Sequence, residues 1–143
     1  MKIMILDGQG GKLGALLVEQ LRQQLPEAEL IAVGTNSLAT SAMLRAGAQA
    51  GATGENPVQF ISPTVDLILG PSGIIMANSL LGEVTPAMAV AIGTAKAMKI
   101  LIPVNKCCHY FVGVQELSLA ESVRLAVQAT VKFAQDPQHF CKQ

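Results

Sequence analysis

The first fourteen residues constrain this chain most. An apolar run, Lys2-Ile3-Met4-Ile5-Leu6-Asp7, breaks into Gly8-Gln9-Gly10-Gly11-Lys12-Leu13-Gly14 and leads into an amphipathic stretch. That pattern reads as a strand, a glycine turn and the start of a helix. The unpaired N–H groups of a helix's first turn, together with the positive end of its dipole, form an anion site, and glycines let a phosphate approach the backbone. A nucleotide or another small phosphorylated ligand is the expected occupant.

The pattern continues along the chain. A helix is predicted from Gly11 to Leu25, with Leu13, Leu17 and Leu21 on one side and Pro26 ending it. A strand follows at Glu29 to Val33, then Gly34-Thr35-Asn36 and a helix from Ser37 to Ala48. Gly47, Gly51 and Gly54 mark an irregular passage that leads to a short strand at Val58 to Ile61 and a stronger one at Val65 to Leu69. Beyond Gly70-Pro71-Ser72-Gly73 a short helical segment reaches Leu81. Thr85-Pro86 opens a helix to Met98, because Thr supplies a cap oxygen and Pro has no N–H to lose at the first helical position. Lys99 to Val104 reads as a strand, and Asn105-Lys106-Cys107-Cys108 as a turn into a strand from His109 to Val114 that could pair antiparallel. Ser118 and Glu121 have capping-box spacing for a last helix to Ala134, with a loose tail from Asp136.

Strands alternating with helices imply a mostly parallel sheet, and ligands of such sheets sit beyond the carboxyl ends of the strands. Half the residues are hydrophobic but only 3% aromatic, the aliphatic filling expected of a sheet covered on both faces. At 143 residues the chain is one domain's worth. Ten basic residues balance ten acidic ones, and with one Tyr and no Trp nothing resembles a nucleic-acid surface. The uncharged run from Leu67 to Gly82 is too short and too broken by Gly70, Pro71, Gly73 and Asn78 to span a membrane. Without a signal-peptide pattern, and with three cysteines that make no disulfide framework, a cytoplasmic location is expected.

Four post-strand turns should converge on the ligand edge: Asp7 to Gly11, Gly34 to Asn36, Gly70 to Gly73, and Asn105 to His109. The candidate binding residues are Asp7, Gly8, Gln9, Gly10, Gly11, Lys12, Gly14, Gly34, Thr35, Asn36, Gly70, Pro71, Ser72, Gly73, Asn105 and Lys106. Such residues also end elements in any protein, and the glycine loop could be a tight turn that holds nothing. Gly8, Gly11 and Gly14 have G-x-x-G-x-x-G spacing, like the loop of extended short-chain dehydrogenases. An NAD site also wants Asp or Glu at the end of the second strand, and Gly34-Thr35-Asn36 stands there. Thr35 and Asn36 could instead bond a 2′-phosphate, with Arg45 as a distant cation, so NADP is preferred to NAD.

Other candidates stay open at this point. Asp7 could receive a ligand hydroxyl or a metal, or it could cap the glycine turn. Asp66 starts its strand at the wrong edge and reads as structural. Adjacent Cys107 and Cys108, with His109, lack zinc spacing, so no metal site is expected, and no triad or nucleophile elbow supports acyl transfer. Glu55 and Glu83 sit in loops where solvation is the default.

The phrases Asp7-Gly8-Gln9-Gly10-Gly11, Gly34-Thr35-Asn36, Ala52-Thr53-Gly54-Glu55-Asn56, Leu81-Gly82-Glu83-Val84-Thr85-Pro86 and Ile102-Pro103-Val104-Asn105-Lys106-Cys107 together resemble a small bacterial family, domain of unknown function 3842, over about residues 1 to 130. The resemblance implies a compact Rossmann-like protein and brings no activity, substrate or catalytic residues. The expected fold is a single Rossmann-like α/β domain over 1–143, a three-layer sandwich with a mostly parallel sheet of five to six strands. An NADP-dependent oxidoreductase is one alternative function. A homo-oligomeric scaffold is another, suggested by the apolar segments Ile74 to Leu81 and Ala87 to Met98.

Overall fold

The computed structural model describes residues 1–104 and 109–140. Its elements are β1 (Lys2–Asp7), α1 (Lys12–Gln24), β2 (Glu29–Gly34), α2 (Ser37–Arg45), β3 (Ala50–Thr53), α3 (Glu55–Ile61), β4 (Leu67–Pro71), α4 (Pro86–Thr94), β5 (Met98–Ile102), α5 (Leu119–Gln135) and α6 (Pro137–Phe140). The five strands form one sheet in the order β3-β2-β1-β4-β5, and every pairing is parallel. The chain winds outward from β1 through β2 to β3, then returns across the sheet to place β4 on the other side of β1. The carboxyl ends of β1 and β4 therefore flank the point where the winding reverses, the position at which such sheets bind ligands.

Alternation along the strands divides the core in two. Ile3, Ile5, Leu30, Ala32, Leu67 and Leu69 face α1, α2 and α5, packing with Leu17, Leu21, Met43, Val123 and Val127. Met4, Leu6, Ile31, Val33 and Ile68 face the opposite way, onto Val58 of α3 and Met88 and Ile92 of α4. Both sheet faces are buried because parallel strands are joined by helices that must lie on those faces. At the amino ends of the strands, Asp66 accepts the Lys2 N–H at 2.7 Å, a bond that ties the start of β4 to that of β1.

Several expected elements are corrected. Val58 to Ile61 belongs to helix α3, not to a strand: Val58 and Ile61 are one helical turn apart, Val58 is buried and Phe60 is 76% exposed. The strand is instead Ala50–Thr53, an edge strand with little apolar bulk. Only Ser72–Ile75 is helical after β4, as a single 3-10 turn, and the chain then runs through turns to Thr85. Helix α4 stops at Thr94, since the extended backbone of its C-cap, Ala95, turns the chain toward β5. The segment 109–114 contains no strand, so the sheet has five strands and no antiparallel member among the described residues. The C-terminal segment continues into α6, where the ring of Phe140 meets that of Phe133 edge-on at 5.9 Å.

Candidate functional site

The glycine turn is held from beneath by Asp7. This residue ends β1, is 6% exposed, and accepts the Gly8 N–H at Oδ1 (2.8 Å) and the Gly14 N–H at Oδ2 (2.7 Å). Both oxygens are spent on the turn and the first turn of α1, which is the capping alternative left open by the sequence. Burial pushes the Asp7 carboxyl above its ordinary value. The N–H groups of Gly14, Gly8 and Leu13 only partly offset this, and the charge of Glu83 adds to it.

Gly11 and Gly14 serve packing. Gly11 has φ +70°, and a Cβ there would lie 2.6 Å from the Cα of Ala39; one on Gly14 would lie 2.5 Å from the Met43 sulfur. They let α1 approach α2 closely. Gly10 has open space around it, and among the described residues the N–H groups of Gly10 and Lys12 are left without a partner.

Above the turn lies the residue that sequence reasoning passed over. One oxygen of Glu83, Oε2, accepts the Gln9 N–H at 2.7 Å, the Thr35 hydroxyl at 2.6 Å and the Asn36 amide at 3.2 Å. Asn36 also donates to the Gln9 carbonyl at 3.0 Å, while its Oδ1 accepts the Ala39 N–H at 2.9 Å and caps α2. Gly8 must lack a side chain here, because a Cβ would lie 2.5 Å from Glu83 Oε2 and 2.6 Å from Thr35 Oγ1. The loops after β1 and β2 thus present three donors to a single oxyanion position. No local signal announces this, since 74 residues separate Gln9 from Glu83.

Thr35 and Asn36, expected to meet a 2′-phosphate, therefore meet a carboxylate of the protein itself. The acid missing from the end of β2 is supplied in space by Glu83, and its charge repels a second anion placed against it. The geometry removes the basis for preferring NADP to NAD.

The remaining candidates divide. Gly70 and Pro71 end β4, and buried Ser72 accepts the Val104 N–H at 3.2 Å, tying the β4 turn to the chain beyond β5. Gly73 accepts the Ser79 hydroxyl through its carbonyl at 2.5 Å. Gly34 is pressed against Thr40, whose hydroxyl bonds Thr53 at 2.7 Å and joins α2 to β3. Asn105, Lys106, Cys107 and Cys108 lie outside the described residues; His109 is exposed. Among the described residues no group of three His, Cys, Asp or Glu stands where it could hold a metal ion, and no helix is long and apolar enough to cross a membrane. Two grooves of about 770 Å³ lie on the helical layers, one between α1 and α5 and one between α3 and α4, and neither is lined by the glycine turn.

The two carboxylates respond oppositely to pH. Burial pushes Glu83 up, but the hydrogen bonds from Thr35, the Gln9 N–H and Asn36 outweigh it, so the group lies below its ordinary 4.5. A carboxyl depressed on folding adds stability above its unfolded value and loses it as pH falls through the folded value. Asp7, raised above 3.8, has the opposite sign: its contribution is present below that value and declines as pH rises through the folded one. Glu83→Gln is thus expected to flatten the acid limb of stability below about pH 4.5. Urea midpoints taken from about pH 3 to 6 check this, and an acid limb as steep as in the parent would refute it.

Comparison with known proteins adds the following. The structure is similar to that of a dodecameric FMN-dependent Ubix-like decarboxylase from Escherichia coli O157:H7, at 17% identity and a TM-score of 0.47, covering 90% of this chain and 75% of that one. It is also similar to AibC, at 16% identity and a TM-score of 0.45, with 92% of this chain covered and only 40% of that one. No curated protein matches the chain. One family model does, over residues 2–135, nearly the full length and all five strands; the chain belongs to the family described as Domain of unknown function (DUF3842).

Proposed function

We propose that this protein binds a nucleotide or another small phosphorylated ligand at the carboxyl edge of the sheet, between the glycine turn and the loops at Thr35–Asn36 and Ser72. One observation carries the reading. The Gln9 N–H, the Thr35 hydroxyl and the Asn36 amide converge on one oxyanion at the carboxyl ends of β1 and β2, next to the β1–β4 point where the winding of the sheet reverses. Lys12 is exposed beside open Gly10 and offers a cation to the same ligand.

The test is the thermal midpoint of the pure protein against NAD, NADP, ATP, GTP, flavin nucleotides, nucleotide sugars and inorganic phosphate. A ligand that binds only the folded state at about one hundred times its Kd adds about 2.7 kcal/mol. A rise for one nucleotide that is lost in Gly10→Asp and weakened in Lys12→Ala is expected. No shift with any of these at millimolar concentration, in the parent and in Glu83→Ala alike, would overturn the reading.

Self-association has a separate observation behind it. Helix α4 carries no charged residue, and Val90 on it is 62% exposed; Phe60 on α3, the helix it packs against, is 76% exposed. Apolar side chains left open on paired helices suit a subunit contact. Sedimentation velocity is expected to show an oligomer that Val90→Glu dissociates; a monomeric parent removes this reading.

A further inference from the structure

The turns between β4 and α4 cross the very edge at which a ligand would enter. Glu83 reaches the loops after β1 and β2, and two residues later the Thr85 hydroxyl donates to Glu55 Oε2 at 2.5 Å, at the end of β3. A single strap thus lies over the carboxyl ends of three strands. We infer that residues 76–85 form a lid over the crevice, latched by Glu83, and that an incoming phosphate group opens it by replacing the Glu83 carboxylate on the same three donors. The second half of this inference rests on the proposed binding function, whereas the latch does not.

The lid is fixed at its base and free at its tip. Ile74 and Val84 are fully buried, Ser79 is 4% exposed, and α4 begins firmly at the Thr85 cap, so both ends are anchored in the core. Leu81, by contrast, is 96% exposed and contributes nothing to holding the lid down. The tip also resists its own conformation. Asn78, Leu80 and Leu81 have φ of 64°, 54° and 59°, a region that residues with a side chain adopt at a cost, leucine more so than asparagine. Backbone bonds within the turn offset part of that cost, among them the Asn78 N–H to the Val84 carbonyl at 2.7 Å and the Val84 N–H to the Ser79 carbonyl at 3.2 Å, and the Glu83 hydrogen bonds are the ones that reach from it to the loops after β1 and β2.

Exchange of one oxyanion for another explains how the lid could open while the three donors, two of them partly buried, keep an acceptor. A phosphate oxygen accepts from an N–H, a hydroxyl and an amide as a carboxylate does. Two anions do not share the position, so binding and closure by Glu83 exclude each other.

Hydrogen exchange read by mass spectrometry tests the latch on the full chain. In Glu83→Gln and Glu83→Ala, amides of residues 78–84 are expected to exchange at least tenfold faster than in the parent, with those of β1 and β2 unchanged. Equal rates at 78–84 in parent and variants would overturn the latch. ADP serves as the probe for displacement: its Kd is expected to fall at least tenfold in Glu83→Ala, and in the parent it should speed exchange at 78–84. ADP that binds parent and variant equally would overturn displacement while leaving the binding function standing. ADP that binds Glu83→Ala more weakly than the parent would overturn it too, and would make Glu83 a ligand contact. If neither protein binds ADP or any other nucleotide, the binding function and displacement fall together, and the exchange rates alone decide the latch.

Discussion

Replacing Gly11 by alanine is expected to remove about 2–4 kcal/mol of stability, far more than the same change one residue earlier. Two costs combine. The backbone at Gly11 has φ +70°, which by itself disfavours a residue with a side chain by about 1–2 kcal/mol. The new Cβ would then stand 2.6 Å from the Ala39 Cα and 2.9 Å from the Ala39 carbonyl oxygen. These are backbone atoms of α2, not the end of a side chain that could rotate away, so relief requires the two helices to part. Parting them opens the packing around Met43, which is fully buried beneath Gly14. Gly10→Ala is the control: nothing lies within 4 Å of its Cβ, and a change within about 0.5 kcal/mol is expected. Urea unfolding followed by circular dichroism compares the two, and equal midpoints would mean that α1 and α2 do not meet as closely as described. The same geometry makes Gly11→Asp a poor probe of phosphate binding, since it would unfold the turn whether or not a ligand sits there. Gly10→Asp places the charge in open space instead.

The fold was legible where one residue's environment follows from its near neighbours. Ile3, Ile5, Leu30 and Leu67 are buried apolar positions in strands, and Thr85-Pro86 and Ser118 start helices through hydrogen bonds spanning three residues. The misreadings share a cause as well. Ala50–Thr53 is a strand because β2 lends it a partner, and its mostly exposed side chains leave no apolar pattern to see. Val58 to Ile61 is too short for its period to be read, and the exposed ring of Phe60 mimics strand alternation. In the site, the glycine turn, Thr35 and Asn36 were all visible as polar groups on one edge. Their partner was not. Glu83 lies in Gly82-Glu83-Val84-Thr85-Pro86, which reads locally as the approach to α4, and its function in the structure comes from bonds to residues 47 to 74 positions away. Asp7 shows the intermediate case, a residue whose position was plain and whose role depended on where two N–H groups six residues apart would point.

Removal of that role in Asp7→Ala is expected to cost about 3 kcal/mol, and Asp7→Asn about half as much. The alanine variant strips the acceptor from the Gly8 and Gly14 N–H groups at a position only 6% exposed, and each unmet buried donor costs about 1–3 kcal/mol. Part of this is returned, because a carboxylate raised by burial and by the nearby Glu83 charge is itself held there at a cost. Asparagine keeps one acceptor but must turn its NH₂ toward one of the two donors, so one bond survives and the other becomes a donor–donor contact. Because the Asp7 carboxyl is raised on folding, its contribution to stability grows as pH falls toward about 3.8, so the gap between the parent and Asp7→Asn, which does not titrate, should widen at acid pH. Urea midpoints of the three proteins at neutral and acid pH give the comparison, and an alanine variant as stable as the parent would mean that water reaches the turn and replaces the carboxylate. The outcome bears on ligand binding as well. With both Asp7 oxygens committed to the turn, a bound nucleotide would touch what Asp7 positions, not Asp7 itself. Asp7→Asn, where it remains folded, should therefore retain nucleotide affinity within a fewfold. A loss of affinity as severe as that expected from Gly10→Asp would show the carboxylate reaching the ligand, in place of holding the loop that does.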